Sequence, residues 1–376
     1  MRLYSKVFAM FFIFFLASCM NLHPAPATPD SPAASSPSSP SSLSSPSSAS
    51  YIKPPALRPG DTIAIVAPAS PLEPPGRIQR AAERLKAMGF RVKEAPNLYH
   101  RYGDLAGPDD ERVENLMAAF RDPEVKAVIS GTGGYGVSRI LDQLDWNEIA
   151  RQPKIVTGFS DITALHLALN RKCHWVTFHS PNPMWGLGSE TGMQPFAGRY
   201  YWRAILASNY FDAASGARLA PGWTYALDEV TTKPVTLVPG VARGRLVGGN
   251  LSLVATLMGT PYEIDTRDAI LFLEDVGEKP YRVDRMLSQL EMGGKLNNLR
   301  GAILGRWSKC VSDEPEKSLT LEQIFDRYFA HKGYPVVTQF PIGHVADNAT
   351  IPMGVMAELD ATTGRLTILE DPVTLP

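Results

Sequence analysis

Ser160 and Asp161 follow the short apolar run KIVT in the stretch GFSDITAL, residues 158–165, and a serine placed there has two uses. Its hydroxyl, or the neighbouring carboxylate, can cap the helix that the following residues predict by accepting an orphan backbone N–H. It can also attack a carbonyl, because the N–H groups and positive dipole end of a helix start stabilise the oxyanion that forms. Ile162 stands where the G-x-S-x-G elbow of α/β-hydrolases has its second glycine, so that fold is excluded.

A nucleophilic serine requires a base within hydrogen-bond reach and a group that orients the base. Among the seven histidines, His344 lies in PIGHVADNATIPMG, a loop punctuated by glycine and proline. Loops held by a scaffold carry catalytic groups more often than element interiors do. His23 falls in a low-complexity segment, His166 inside the helix after Ser160, and His174 and His179 flank the strand HWVTF, while His100 and His331 have polar neighbours. For the orienting carboxylate, AILFLEDVGE is a buried-type strand that ends in Glu274 and Asp275. Charge at that exit serves either an imidazole or plain solvation of the strand end. GTGGYG, residues 131–136, resembles a phosphate cradle but lacks the Lys-Ser/Thr of a P-loop and the last glycine of G-x-G-x-x-G. Its backbone N–H groups can instead face an oxyanion. With no H-E-x-x-H and no Cys-x-x-Cys, neither a metal nor another cofactor is expected.

The elements that must position these groups alternate. DTIAIVAPAS reads as a strand and GRIQRAAERLKAMGF as a helix; RVKEAPN, VKAVIS and KIVTGF are further strands, separated by the helices DDERVENLMAAFRD and VSRILDQL and followed by DITALHLALNRK. Such alternation predicts parallel βαβ units in an open, Rossmann- or flavodoxin-like sheet over 58–185. GTGGYG and GFSD then lie at carboxyl ends of strands, where ligands bind in such sheets. Residues 186–240 lose the periodicity and read as a connector. A smaller mixed α/β domain follows over 241–376: strand, glycine turn and helix in RGRLVGGNLSLVATLMGT, further strands AILFLEDVGE and GAILGRW, helices YRVDRMLSQLE and LTLEQIFDRYF, and a closing hairpin around Thr362–Gly364.

The chain has 376 residues, 44% hydrophobic and 20% charged, with a formal net charge of −1, so it can bury a core and offers nucleic acid no basic surface. Residues 1–19 combine Arg2 and Lys6 with an apolar run too short to span a bilayer, as an export signal does. Leu16-Ala17-Ser18-Cys19 resembles the lipobox of bacterial lipoproteins, which implies lipidation of Cys19, membrane anchoring and a place in the cell envelope. Residues 20–57, rich in proline and serine, read as a disordered tether. Cys173 and Cys310 do not make a disulfide framework.

In this order and spacing, IAIVAPAS, the stretch from RYGDLAG to LDQLDW, IVTGFSDITALHLAL, GRLVGGNLSLVATLMGTP, FLEDVGEKPYRVDRMLSQL and PIGHVADN resemble the LD-carboxypeptidase family of serine peptidases, which also contains microcin C immunity peptidases. The resemblance implies a triad of Ser160, Glu274 and His344, with the serine in the first domain and the other two in the second. It also implies an oxyanion hole from the N–H groups of Asp161 and Gly134. The implied substrate is a murein tetrapeptide, which loses its terminal D-alanine, and family members are often homodimers. An immunity-like peptidase and a tethered, non-catalytic muropeptide-binding protein are the alternatives. Thr132 stands where many relatives have arginine, and Ser180 where they have glycine. Arg245 is a candidate for the substrate's terminal carboxylate.

Overall fold

Burial on both faces decides the strands of the first domain. Thr62–Val66 (β1) is buried at every position, as a central parallel strand requires. It is followed by Pro75–Ala87 (α1), Arg91–Glu94 (β2), Asp109–Arg121 (α2), Val125–Ser130 (β3), Trp146–Ile149 (α3), Ile155–Gly158 (β4), Thr163–Cys173 (α4) and Thr177–His179 (β5). These five strands are parallel and ordered β5-β4-β3-β1-β2, the flavodoxin-like arrangement. The strand order reverses between β1 and β3, so a crevice opens outside their carboxyl ends. The computed structural model describes residues 50–375; the signal segment with Cys19 and the tether up to residue 49 lie outside the described residues.

The second half continues with Pro195–Ile205 (α5), Trp223–Thr224 (β6), Val235–Val238 (β7), Val241–Asn250 (β8), Leu251–Thr256 (α6), Ala269–Val276 (β9), Pro280–Met292 (α7) and Gly301–Ser308 (β10). Leu321–Phe329 (α8), Val336–Thr338 (β11), Ile351–Met353 (β12), Met356–Asp360 (β13) and Arg365–Ile368 (β14) complete it. Its sheet runs β6-β14-β13-β8-β9-β10-β11-β7, with a parallel centre of β8 to β11 and antiparallel flanks. Both outermost strands come from the segment read as a connector. They are two and four residues long, too short to impose a period on the sequence. β12 leaves this domain altogether and pairs antiparallel with β5, adding a sixth strand to the first sheet.

Three local readings differ from the structure. The tether ends earlier than residue 57, because Ala56 and Leu57 are buried and Ile52, Pro55 and Leu57 bridge to Trp175, Thr374 and Leu206. VSRILDQL forms two single 3-10 turns, Val137–Arg139 and Leu141–Gln143, instead of an α-helix. Gly248 and Gly249 lie within β8 and not in a turn. A side chain at Gly249 would collide with Thr163, and one at Gly248 with the Phe272 backbone, so close approach and not chain reversal demands glycine there. Among the described residues no helix is long and apolar enough to cross a membrane.

Candidate active site

Ser160 sits where β4 gives out. Its φ is +63°, the left-handed region that a residue with a Cβ enters at a cost, and this strain holds the hydroxyl out of the strand–helix junction. It opens a 3-10 turn, Ser160–Ile162, that runs into α4, and its side chain makes no capping bond. Capping therefore does not explain the serine. Asp161 does not cap either; its buried Oδ2 accepts the Val137 N–H at 2.8 Å and so ties the turn to the glycine loop. Burial pushes the Asp161 carboxyl up to about 6 against the pull of that bond and of the Arg112 charge. His166, one turn into α4, bonds Gly158 O at 2.9 Å, and burial holds its imidazole down at about 3, so it is a neutral support for the end of β4.

The glycine loop lies directly against the serine. A Cβ on Gly133 would stand 2.8 Å from Ser160 Cβ and 3.1 Å from Phe159 O. Gly134, at φ +103°, has Ser70 Oγ in the place a side chain would need. Ser70, at the exit of β1, stitches the loop: its N–H donates to Gly133 O at 3.2 Å, and its Oγ accepts the Tyr135 N–H at 3.1 Å and donates to Asp104 O at 2.7 Å. The fully buried Arg112 supports the loop from behind through Gly136 O at 2.9 Å. Among the described residues neither the Asp161 N–H nor the Gly134 N–H has a protein acceptor. Thr132 accepts a bond from Ser130 Oγ through its carbonyl at 2.8 Å, and Ser180 is buried with its N–H on Gly158 O at 3.0 Å.

Glu274 and Asp275 are both buried, which rules out solvation of the strand end as their role. Glu274 Oε2 accepts from His344 Nδ1 at 2.7 Å, and its Oε1 lies 3.7 Å from Nε2 of the buried His179. The second distance is too long for an ordinary hydrogen bond, so His179 acts by proximity. Burial alone would raise the Glu274 carboxyl; the His179 and His344 imidazoles outweigh it and hold it down at about 2. Asp275 takes the opposite shift, to about 6, through burial and the charge of Glu274. It accepts from Asn250 Nδ2 and from the Ser252 N–H and hydroxyl, all within 2.8–2.9 Å.

His344 reaches Glu274 because the residue before it is glycine: at Gly343, φ +118°, a Cβ would press on the Glu274 side chain. The Gly343 N–H is held by Asn348 Oδ1 at 2.9 Å and the His344 carbonyl by Ser308 Oγ at 2.9 Å. The imidazole packs on Phe159, with ring centroids 4.7 Å apart, and Phe159 is the residue before Ser160. Ser160 and His344 are thus brought together through Phe159 and share no direct hydrogen bond here. The sequence gives His179, which flanks HWVTF, no role at the site and does not single out Ser70; both stand at strand exits, the one signal that could have found them. Arg245 is spent elsewhere, on Gly354 O at 2.8 Å, near Glu370 and beside Tyr51.

Residues 63–180 match the LD-carboxypeptidase N-terminal domain and residues 243–359 the LD-carboxypeptidase C-terminal domain. A probable murein peptide carboxypeptidase of Bacillus subtilis is 40% identical over 85% of this chain and 94% of its own. The chain belongs to the LD-carboxypeptidase family. It is accordingly a hydrolase of the serine carboxypeptidase class, and the elements above are those of an LD-carboxypeptidase. The crystal structure of muramoyltetrapeptide carboxypeptidase from Oxalobacter formigenes superimposes with a TM-score of 0.69 at 29% identity, covering 84% of this chain and 99% of that one. The microcin C7 self immunity protein MccF in complex with aspartyl sulfamoyl adenosine gives a TM-score of 0.76 over 86% of this chain and 100% of its own, but at 22% identity that likeness carries the fold alone.

Proposed function

We propose that this LD-carboxypeptidase removes the terminal D-alanine from murein tetrapeptides, with Ser160 as nucleophile, His344 as base and Glu274 as its orienting carboxylate. The observation that carries the reading is the 2.7 Å bond from His344 Nδ1 to a buried Glu274, beside a serine held at φ +63°. With Nδ1 committed to Glu274, Nε2 is the nitrogen left to take the Ser160 proton as Oγ attacks the peptide carbonyl. The N–H groups of Asp161 and Gly134, which lack protein acceptors, receive the oxyanion. Nε2 then returns the proton to the departing D-alanine amine, and water, deprotonated in the same way, resolves the acyl-enzyme. Glu274 stays ionised throughout, as its depressed carboxyl requires.

The test is mass spectrometry of a murein tetrapeptide incubated with the protein and with Ser160→Ala. Loss of one alanine by the unsubstituted protein alone supports the reading; an intact tetrapeptide with folded protein refutes it. We also propose that Cys19 is lipidated and anchors the enzyme in the cell envelope, on the strength of Leu16-Ala17-Ser18-Cys19 following an apolar run. Incorporation of a labelled fatty acid that Cys19→Ser abolishes would support this, and an unlabelled protein would refute it.

A further inference from the structure

Glu274 uses only one of its two carboxylate oxygens in the bond to His344. The other, Oε1, is buried with no hydrogen-bond partner among the described residues, and so are both ring nitrogens of His179. These orphans face each other: Nε2 of His179 lies 3.7 Å from Oε1, and both side chains are fully buried. That separation is roughly half an ångström beyond hydrogen-bond range. A buried polar group without a partner is costly, and more so when it is charged. Hydrogen bonds within a catalytic group are often long without substrate and tighten once it is bound.

The surroundings are built for this contact. His179 ends β5, whose backbone is paired there with Gly158 of β4 on one side and Ile351 of β12 on the other. Its ring meets Phe272 and Phe159 edge to face, with centroids 5.3 and 6.1 Å away. Phe159 also packs on His344, so one phenyl ring abuts both imidazoles. Two glycines clear the space around the acid: a Cβ on Gly305 would stand 3.2 Å from Glu274 Cβ, and one on Gly343 2.6 Å from Oε2. An ionised carboxylate only accepts, so a ring nitrogen that serves Oε1 carries its hydrogen.

Resting on the triad assigned above, we propose that His179 is a positioning residue: its Nε2–H grips Glu274 Oε1 from the nucleophile's domain while His344 Nδ1 holds Oε2 from the other. A carboxylate held at one oxygen can pivot about its last bond and take the imidazole with it. Held at both, it keeps Nε2 of His344 aimed at Ser160 while the proton is taken up and returned. His179 touches no reacting atom and acts only through Glu274. Its grip also moderates the acid, because a donor on Oε1 draws off negative charge that would otherwise bind the His344 imidazolium more tightly.

The experiment compares the full-length protein with His179→Leu, which fills the space without a donor, and His179→Gln, which returns an N–H near the Nε2 position. Turnover of the tetrapeptide is measured across about pH 5 to 9. His179→Leu should lower kcat by about tenfold or more, the scale of one hydrogen bond to a charged group, with KM little changed. The acid limb of its kcat/KM profile should move to higher pH, since the imidazolium is then held more strongly. His179→Gln should recover most of the rate and bring the limb back. Besides Glu274 and His344, the titratable groups packed here are His166 on α4 and Asp275 beside Glu274, and all four are common to the three proteins. An unchanged kcat and limb in His179→Leu overturns the inference, as do equal losses in the two variants, which would mark His179 as packing alone. Nuclear magnetic resonance of the enzyme with isotope-labelled histidine needs neither a variant nor turnover: His179 protonated at Nε2 supports the inference, and protonation at Nδ1 alone overturns it. If the unsubstituted protein leaves the tetrapeptide intact, the carboxypeptidase reading fails by itself, and the His179 tautomer decides this inference.

Discussion

Thr163 Oγ1 accepts the backbone N–H of Asn250 at 3.0 Å, and this bond joins the two domains three residues from the nucleophile. Asn250 in turn donates from Nδ2 to Asp275 at 2.9 Å, one residue from Glu274. The serine of one domain and the acid of the other are therefore fixed to each other through two hydrogen bonds that involve neither of them. Thr163→Val keeps the shape but leaves a buried N–H without an acceptor, at a cost of about 1–3 kcal/mol. The expected result is a lower unfolding midpoint and reduced kcat, with Thr163→Ser close to the unsubstituted protein in both; denaturant melts and turnover of the tetrapeptide check it.

Gly133→Ala should fold but be strongly impaired. Its methyl would come 2.8 Å from Ser160 Cβ, and the turn must shift to admit it. A displacement of that kind at a nucleophile costs roughly 10²-fold in rate. A circular dichroism spectrum beside a tetrapeptide assay separates this from unfolding, and full activity would show that the glycine loop does not press on the serine.

Glu274→Gln tests the buried acid through pH. The native carboxyl is held at about 2, whereas an unfolded glutamate titrates near about 4.3. The ionised group therefore contributes stability above the unfolded value, and the contribution is lost as pH falls toward 2. Unfolding free energies should show the unsubstituted protein more stable than Glu274→Gln at pH 7, above the titration of the neighbouring Asp275, with the margin shrinking as pH falls below ~4. A margin that does not vary with pH would contradict the assignment.

Asp161→Asn should show the opposite sign. Burial raises the native Asp161 carboxyl to about 6, above the ~3.9 of an unfolded aspartate. Its contribution is complete below ~4 and is lost as pH rises through ~6, so the unsubstituted protein should lose stability against Asp161→Asn across that interval. Melts at closely spaced pH values between 4 and 7 would reveal it.

The parts legible in the sequence are those where local pattern and final environment agree. β1, β3, β4, β9 and β10 are runs of β-branched and aliphatic residues because the sheet buries both their faces. Ser160 and Glu274 stood out because each stands at the end of such an element, and His344 because it lies in a loop punctuated by glycine and proline. What escaped notice depends on partners distant in the chain. β12 is three residues, Ile351, Pro352 and Met353, whose pairing exists only because β5 presents a free edge. His179 looks like any strand residue until Glu274 arrives beside it. Gly248 and Gly249 have the signature of a turn, and only the proximity of Phe272 and Thr163 turns it into a requirement for thin backbone inside a strand.

The return of β12 to the first sheet bears on how the enzyme is made. Chains emerge from the ribosome N-terminus first, and domains generally fold as they appear. Here the sheet that carries Ser160 keeps one edge unpaired until residues 351–353 have been synthesised. An unpaired edge is a template for association with other chains. The nucleophile's domain thus lacks its sixth strand, and its β5 edge stays open to mispairing, until the residues carrying Glu274 and His344 have already been made.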